Sequence, residues 1–398
     1  MAGIEGLRAV AALSVVLYHV KLDATTQDYT GPVGNVLAFT DQGLTLFFVL
    51  SGFLLFRPFA SAALQDKPLP SVRRYAWNRF LRITPAYLVI FAVTALIIGT
   101  VYIQGSTHGV GPDNIGRLTD PGKILANILL VQTYIPSYVM SGLGVSWSLT
   151  AEIAFYVVLP LIAFLAARMV KSGRNKVVAL CLAPGLMIAV GLAITIWAKF
   201  ATRNLHGDAL SDFDWGQTGS AVLQRSFFAQ ADLFAYGMLA ALAVSVIHER
   251  GVLAVSSRVT AILVGSALIL IAGAITILHP LVANLAGVAS ALIIVAVVLP
   301  SSGGESNAIA RTLEWLPLRF TGMVSYSVYL WHLPVILWLS THNLTVNAGE
   351  FSLAANMGLV LLIVLPLSAA TYYLVERPAM QWKKRTANPS EVRQSASV

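Results

Sequence analysis

Two consecutive apolar runs, Ala261 to Leu278 and Leu281 to Leu299, decide where this chain can fold. Neither contains a charged residue, and each is long enough as a helix to cross roughly 30 Å of hydrocarbon. Composition agrees. Only 11% of the residues are charged against 57% hydrophobic, whereas a soluble domain carries about 25% charged residues. So few charges cannot cover a water-facing shell around a chain of this length. The expected fold class is an all-α polytopic membrane protein.

Apolar runs place about ten transmembrane helices, near residues 7–21, 43–58, 83–104, 147–168, 177–199, 229–247, 259–278, 281–299, 321–341 and 354–375. Segment 121–136 is ambiguous: an eleventh span or an amphipathic helix on the outer surface. Loop charge arbitrates, because Lys and Arg concentrate on the cytoplasmic side. Arg57, Lys67, Arg73, Arg74, Arg79 and Arg82 lie between spans two and three, and Arg168, Lys171, Arg174 and Lys176 between spans four and five. Both loops fall on one side only if 121–136 does not cross. With ten spans Arg377, Lys383, Lys384 and Arg385 join them, and both termini are cytoplasmic. Asp23, Asp28, Asp41, Asp208, Asp212 and Asp214 fall outside.

Residues 1–385 read as one transmembrane domain and 386–398 as a disordered polar tail with nothing to bury. The first twenty residues resemble a signal peptide, but Arg8 and His19 interrupt them and no small-residue cleavage site stands out, so a retained first span is expected. The net charge of +8 is dispersed between apolar spans and not gathered on a soluble face, which argues against nucleic acid as a partner and for membrane lipids. Cys181 is the sole cysteine, so neither an intrachain disulfide nor a thiolate cluster is available. No internal repeat is evident, which disfavours inverted-repeat transporter folds.

Ionisable groups within spans are costly and mark function by default. Arg8 and His19 are eleven residues apart in the first span; eleven helical steps return to within about 20° of the starting direction and rise about 16 Å. They share a helix face, His19 towards the outer half. A neutral imidazole can take a proton from a hydroxyl near neutral pH. The bland alternatives are a snorkelling anchor for Arg8 and an interfacial polar residue for His19. Glu152, in Gly144-Val145-Ser146-Trp147-Ser148-Leu149-Thr150-Ala151-Glu152, is expected at His19's depth, where a carboxylate could support the imidazolium. Asp232, opening span six, is a second acidic candidate for substrate contact or structure.

The stretch Arg73-Arg74-Tyr75-Ala76-Trp77-Asn78-Arg79-Phe80-Leu81-Arg82 gathers guanidinium forks and stacking rings. It suits either a phosphate-rich donor such as a coenzyme A thioester or anionic lipid headgroups. Tyr326, Tyr329 and His332 in span nine read as the lining of a polar, substrate-binding cavity or as interhelical glue. Ser51-Gly52 reads mainly as close helix packing. There is no H-E-x-x-H, Walker or G-x-S-x-G motif, and the histidines lack metal spacing; no catalytic metal is expected.

These residues, taken in order, resemble the membrane-bound acyltransferase-3 family of bacterial O-acyltransferases. The resemblance runs through Glu5-Gly6-Leu7-Arg8 to His19, Phe47-Phe48-Val49-Leu50-Ser51-Gly52-Phe53, Arg79-Phe80-Leu81-Arg82-Ile83-Thr84-Pro85, Ser146-Trp147-Ser148-Leu149 with Glu152, Tyr326 to His332, and Glu376-Arg377-Pro378. It implies a multi-pass protein of the bacterial cytoplasmic (inner) membrane. It further implies an acyl-coenzyme A donor approached from the cytoplasm and a carbohydrate, glycolipid or glycosylated acceptor often met outside. His19 is then the base, Arg8 its partner, and Arg79 and Arg82 donor contacts. Some members carry an extracytoplasmic esterase-like domain; none is expected here. The competing reading is a proton-coupled transporter or flippase with His19, Glu152 and Asp232 as a relay.

Overall fold

The computed structural model describes residues 1–103, 114–251, 255–276, 281–300, 307–347, 349 and 351–385. The tail 386–398, expected to be disordered, lies outside the described residues. Among the described residues the regular structure is helical apart from one two-stranded antiparallel ribbon, β1 (Val101–Tyr102) with β2 (Ile115–Gly116), in which Val101 faces Gly116 and Tyr102 faces Ile115.

The first half contains α1 (Ile4–Asp23), α2 (Gly31–Phe39), α3 (Gly43–Leu64), α4 (Val72–Phe91), α5 (Pro121–Ile128) and α6 (Trp147–Lys171). The middle contains α7 (Lys176–Thr202), α8 (Asp208–Trp215), α9 (Gly219–Arg225) and α10 (Ala231–Glu249). Then follow α11 (Ser257–Thr276), α12 (Val282–Val298), α13 (Ala308–Leu313), α14 (Leu316–Met323), α15 (Ser325–Thr341), α16 (Ser352–Thr371) and α17 (Arg377–Arg385).

Among the described residues, seven helical segments are long and apolar enough to cross a membrane: Gly31–Leu64, Val72–Ile98, Gly144–Lys171, Lys176–Thr202, Phe228–Glu249, Ser257–Thr276 and Ser352–Trp382. Helices α14 and α15, bent by 76° at their junction, make an eighth if counted as one span. The protein is an all-α, multi-pass membrane protein. Two further apolar helices fall short of that test for identifiable reasons. Helix α12 has 17 residues, and every 18-residue window of α1 holds three of Glu5, Arg8, Lys21 and Asp23. The ambiguous segment 121–136 resolves into the 8-residue α5 followed by 3-10 turns. Eight residues rise only about 12 Å as a helix, too little to cross.

Large apolar side chains on α7, α11 and α16 point outwards, among them Leu186, Ile269 and Leu362. In water such exposure would be a liability; in lipid it is the expected surface. Inside, small residues let backbones touch. A Cβ on Gly52 of α3 would stand 2.1 Å from the Phe234 carbonyl oxygen of α10, and one on Gly237 of α10 would stand 2.0 Å from that of Val49. Close backbone approach of this kind drives helix association where no hydrophobic effect operates between helices.

Two apolar clusters form the interior. One joins α3, α6, α7, α10 and α12 through Phe53, Phe56, Phe155, Leu180, Phe234 and Ile294. The other joins α1, α4, α15 and α16 through Val16, Tyr87, Ile90, Leu330 and Val364. Several of the candidate site residues lie along the seam between them.

Candidate functional site

A cavity opens in that seam. Its walls come from one cluster through Phe48, Leu50 and Leu55, and from the other through Ile83, Leu149 and Tyr329. Its polar lining is Arg8, Ser51, Arg79, Arg82, Ser148, Glu152, Tyr156, Tyr326 and Tyr329. About 800 Å³ of non-protein space, open solvent at its mouth included, lies among these residues. The cavity also has direction. On α3 it touches residues from Leu44 to Leu55, eleven helical steps or about 16 Å of rise. Arg8, Arg79, Arg82 and Tyr326 mark one end; Leu44, Ser148 and Tyr329 mark the other.

Sequence forces the first end together. The basic stretch does not stop at a loop: α4 begins at Val72, capped by the Ser71 hydroxyl accepting from Arg74 N–H, and runs without a break into the span. Arg79 and Arg82 therefore lie three apart on one helical face. Their fates differ. Arg82 donates to Glu376 at 2.9 Å, and the same buried carboxylate accepts from the Ser327 hydroxyl at 2.5 Å. Arg79 lies 5.9 Å from the Tyr156 ring centre, and its Nε–H is buried without a hydrogen-bond partner. The cavity thus contains one neutralised guanidinium and one with donor capacity to spare. Arg8 enters from α1, with Glu5 at 3.7 Å on the preceding turn.

At the other end the Ser148 and Tyr329 hydroxyls are 2.7 Å apart, and both reach the Val145 carbonyl at 3.0 Å. The Tyr329 ring contacts His332, centroids 5.7 Å apart, and His332 contacts His19 at 5.0 Å. The imidazoles lie one aromatic ring beyond the cavity lining. His332 Nε2 is 3.3 Å from His19 Nδ1, while His332 Nδ1 faces the Val328 carbonyl at 3.3 Å and His19 Nδ1 the Val15 carbonyl at 3.0 Å. A carbonyl only accepts, so two neutral rings satisfy these contacts in one way. His332 is protonated on Nδ1 and presents the Nε2 lone pair; His19 donates from Nδ1, leaving its own Nε2 as an unshared base.

Sequence expectations fare unevenly against this geometry. Arg8, Arg79, Arg82, Glu152, Tyr326 and Tyr329 meet in one cavity. Glu152 Oε1 accepts from Ser51 Oγ at 2.7 Å, whereas the imidazole of His19 meets His332. Asp232, read from sequence as a candidate for substrate contact or structure, is not among the cavity-lining residues and lies between helices. It accepts from the Asn284 amide and the Leu233 N–H, and its carboxyl packs where a Cβ on Gly191 would stand 2.5 Å away. Arg73 and Arg74 are exposed in the first turn of α4, outside the cavity lining. Tyr75 is also outside it, wedged between Phe59 and Tyr156. Ser51, Tyr156 and Glu376 escaped the reading as site residues, although Glu376 opens the Glu-Arg-Pro triplet and is nearly fully buried at 1% exposure.

The sequence model of the acyltransferase-3 family, described as an acyltransferase domain, matches residues 1–373. The chain belongs to the acyltransferase-3 family. It is similar to YrhL of Bacillus subtilis, 26% identical over 384 residues, 94% of this chain and 54% of that protein. The peptidoglycan O-acetyltransferase OatA of Listeria monocytogenes is 23% identical over 343 residues, 84% of this chain and 49% of OatA. The acyltransferase MdmB of Streptomyces mycarofaciens is 32% identical over 164 residues, 40% of this chain and 38% of MdmB. The chain spans about half the length of YrhL and of OatA. No solved structure matches it. Among the described residues no three His, Cys, Asp or Glu side chains converge as a metal site.

Proposed function

We propose that this acyltransferase-3 protein is an O-acyltransferase that moves a short acyl group, acetyl in the simplest case, from acyl-coenzyme A to a hydroxyl of a carbohydrate, glycolipid or glycosylated metabolite. The observation that carries this is the directed cavity: three arginines at one end, with Arg79 Nε unpartnered, about 16 Å of apolar and hydroxyl lining, and the His19–His332 pair one ring past the other end. A coenzyme A thioester matches that order, with phosphates at Arg79 and Arg8 and the pantetheine arm along α3. Counting α1, α12 and the bent α14–α15 pair as spans gives about ten in the bacterial inner membrane, with the arginine end cytoplasmic by the positive-inside rule.

In the reaction, His19 Nε2 takes the acceptor's hydroxyl proton as the oxygen attacks the thioester carbonyl. The charge that develops on the ring is shared through Nδ1–H with His332 Nε2, a neutral acceptor in the place where hydrolase triads use a carboxylate. Collapse of the tetrahedral intermediate breaks the C–S bond, and the coenzyme A thiolate recovers the proton from His19. The proton-relay alternative gains nothing from the geometry, since Asp232 is held in a separate joint by Asn284.

Equilibrium binding of acetyl-coenzyme A to the protein in nanodiscs tests the donor half. Saturable binding, weakened by Arg79→Ala and unchanged by Asp232→Asn, is expected. Folded protein that binds no acyl-coenzyme A would rule the reading out.

A further inference from the structure

His19 lies beyond the lining of the donor cavity, and through the Tyr18 ring it adjoins a cluster that the donor half does not use. Helix α9 ends at Arg225, whose guanidinium carbon stands 3.3 Å from the ring centre of Trp215, at the end of α8, and 5.1 Å from that of Trp147, at the start of α6. The two indoles meet edge to face at 6.5 Å. The Arg225 Nε–H is buried without a hydrogen-bond partner. Asp41 is exposed and close enough for its charge to act on both Arg225 and Tyr18. The Tyr18 ring in turn lies edge-on to His19 at 5.3 Å. The cluster is continuous with the far end of the donor cavity: Ser148 follows Trp147 in the chain, Leu44 lies three residues after Asp41, and both line the cavity.

All of these elements belong to the end of the bundle opposite the basic start of α4. Asp41 precedes α3, Trp147 opens α6, and Tyr18 and His19 lie in the closing turns of α1. Two indoles, a guanidinium with unused donor capacity, a carboxylate and a phenol make an amphipathic surface. Apolar ring faces for C–H bonds sit beside both donors and acceptors for hydroxyls. A lipid tail would leave the polar groups unsatisfied. An anion would have to approach Asp41, and Asp214, whose Oδ1 accepts from Gln224 at 2.7 Å, also pulls on Arg225. Burial lowers Arg225 only to about 10, so it stays cationic at neutral pH.

Resting on the acyl-transfer reading above, we infer that Trp147, Trp215, Arg225, Asp41 and Tyr18 form the acceptor subsite, and that it binds an uncharged, polyhydroxylated sugar ring with one hydroxyl directed at His19. The sugar stacks against the indole surface, Arg225 and Asp41 hold its hydroxyls, and Tyr18 fixes the edge of the catalytic imidazole. Acyl donor and acceptor then reach His19 from opposite ends of the bundle and need not exchange places.

Binding of soluble oligosaccharides (N-acetylglucosamine, mannose and rhamnose oligomers) to the nanodisc protein tests this, with acetyl-coenzyme A binding and thermal stability measured on the same samples. The wild type should bind at least one oligomer saturably. Trp215→Leu, Arg225→Lys and the fold-neutral Asp41→Asn should each weaken that binding about tenfold or more, with acetyl-coenzyme A affinity unchanged. His19→Ala should retain sugar binding while losing transfer. Donor binding without any oligosaccharide binding, or sugar affinity indifferent to Asp41→Asn and Arg225→Lys in stable protein, overturns the acceptor assignment alone. Loss of acetyl-coenzyme A binding in the wild type instead overturns the acyl-transfer reading beneath it.

Discussion

Two buried polar groupings in this protein look alike in sequence and differ in what surrounds them. Both place ionisable side chains inside apolar helices, where an unpaired polar atom costs several kcal/mol. In the joint between α10 and α12, Asp232 is answered completely: Asn284 and the Leu233 N–H donate to its oxygens, and Tyr236 completes the group. In the cavity between α3, α4, α6 and α15, supply exceeds demand. Arg82 is matched by Glu376, yet Arg79 Nε is buried without a partner. A satisfied group holds helices together, and a surplus of oriented donors awaits something that is not part of the chain. What separates structure from function here is the residual valence of the charge and not its presence.

The comparison can be broken most decisively at His19. His19→Ala should reduce acyl transfer by about 10² to 10⁴-fold, the span of a positioned general base, with the thermal midpoint essentially unmoved. The reverse pattern, a destabilised protein with near-normal turnover, would move His19 to the structural side. Next in size is the Arg82–Glu376 pair. Removing either partner leaves the other buried and charged, so Arg82→Ala or Glu376→Ala should each cost about 3–5 kcal/mol of stability. The double variant should lose less than their sum; strict additivity in thermal melts would dissolve the pair.

His332 offers a subtler cut, because its neutral lone pair supports the protonated form of His19. His332→Phe removes that acceptor, so the imidazolium is less stable and the acid limb of the rate profile, where the base is protonated, should move to lower pH. The maximal rate should fall about tenfold or more, at the modest end for acid–base groups. An unshifted limb would restrict His332 to packing. The smallest effect is expected in the joint: Asp232→Asn should lose about 1–3 kcal/mol of stability by replacing an acceptor with a donor opposite Asn284, with turnover within about twofold. A large fall in rate with intact folding would place Asp232 in the chemistry after all.

The fold was largely legible, because lipid imposes one rule, long apolar helices, and the apolar runs obey it. The observed α6, α7, α10, α11 and α12 begin and end within a few residues of the runs that announce them. Less visible was the helical continuation through the basic stretch from Val72, since charges there mimic a loop while the 3.6-residue repeat carries on. The α14–α15 bend at Val324 was hidden as well, because hydropathy does not report direction. In the site, Arg8, Arg79, Arg82, Glu152, Tyr326 and Tyr329 were chosen as costly or polar groups within or beside spans. Their pairing was not legible: whether Glu152 serves His19 or Ser51, and whether Arg82 is free or bound to Glu376, depends on helix rotation. One residue of rotation turns a side chain by about 100°. The surroundings of Asp232 were not legible either, since its wall of Asn284 and Gly191 comes from helices far away in sequence.

The central claim, a donor path from the arginines to the histidine pair, is most directly tested by photolabelling with a coenzyme A thioester whose acyl end carries a diazirine, followed by peptide mapping. Crosslinks are predicted on α15 around Tyr329 and His332 and on the start of α6, competed by coenzyme A and lost in Arg79→Ala. Competed labelling confined to α7 or the Asp232 joint would contradict the path.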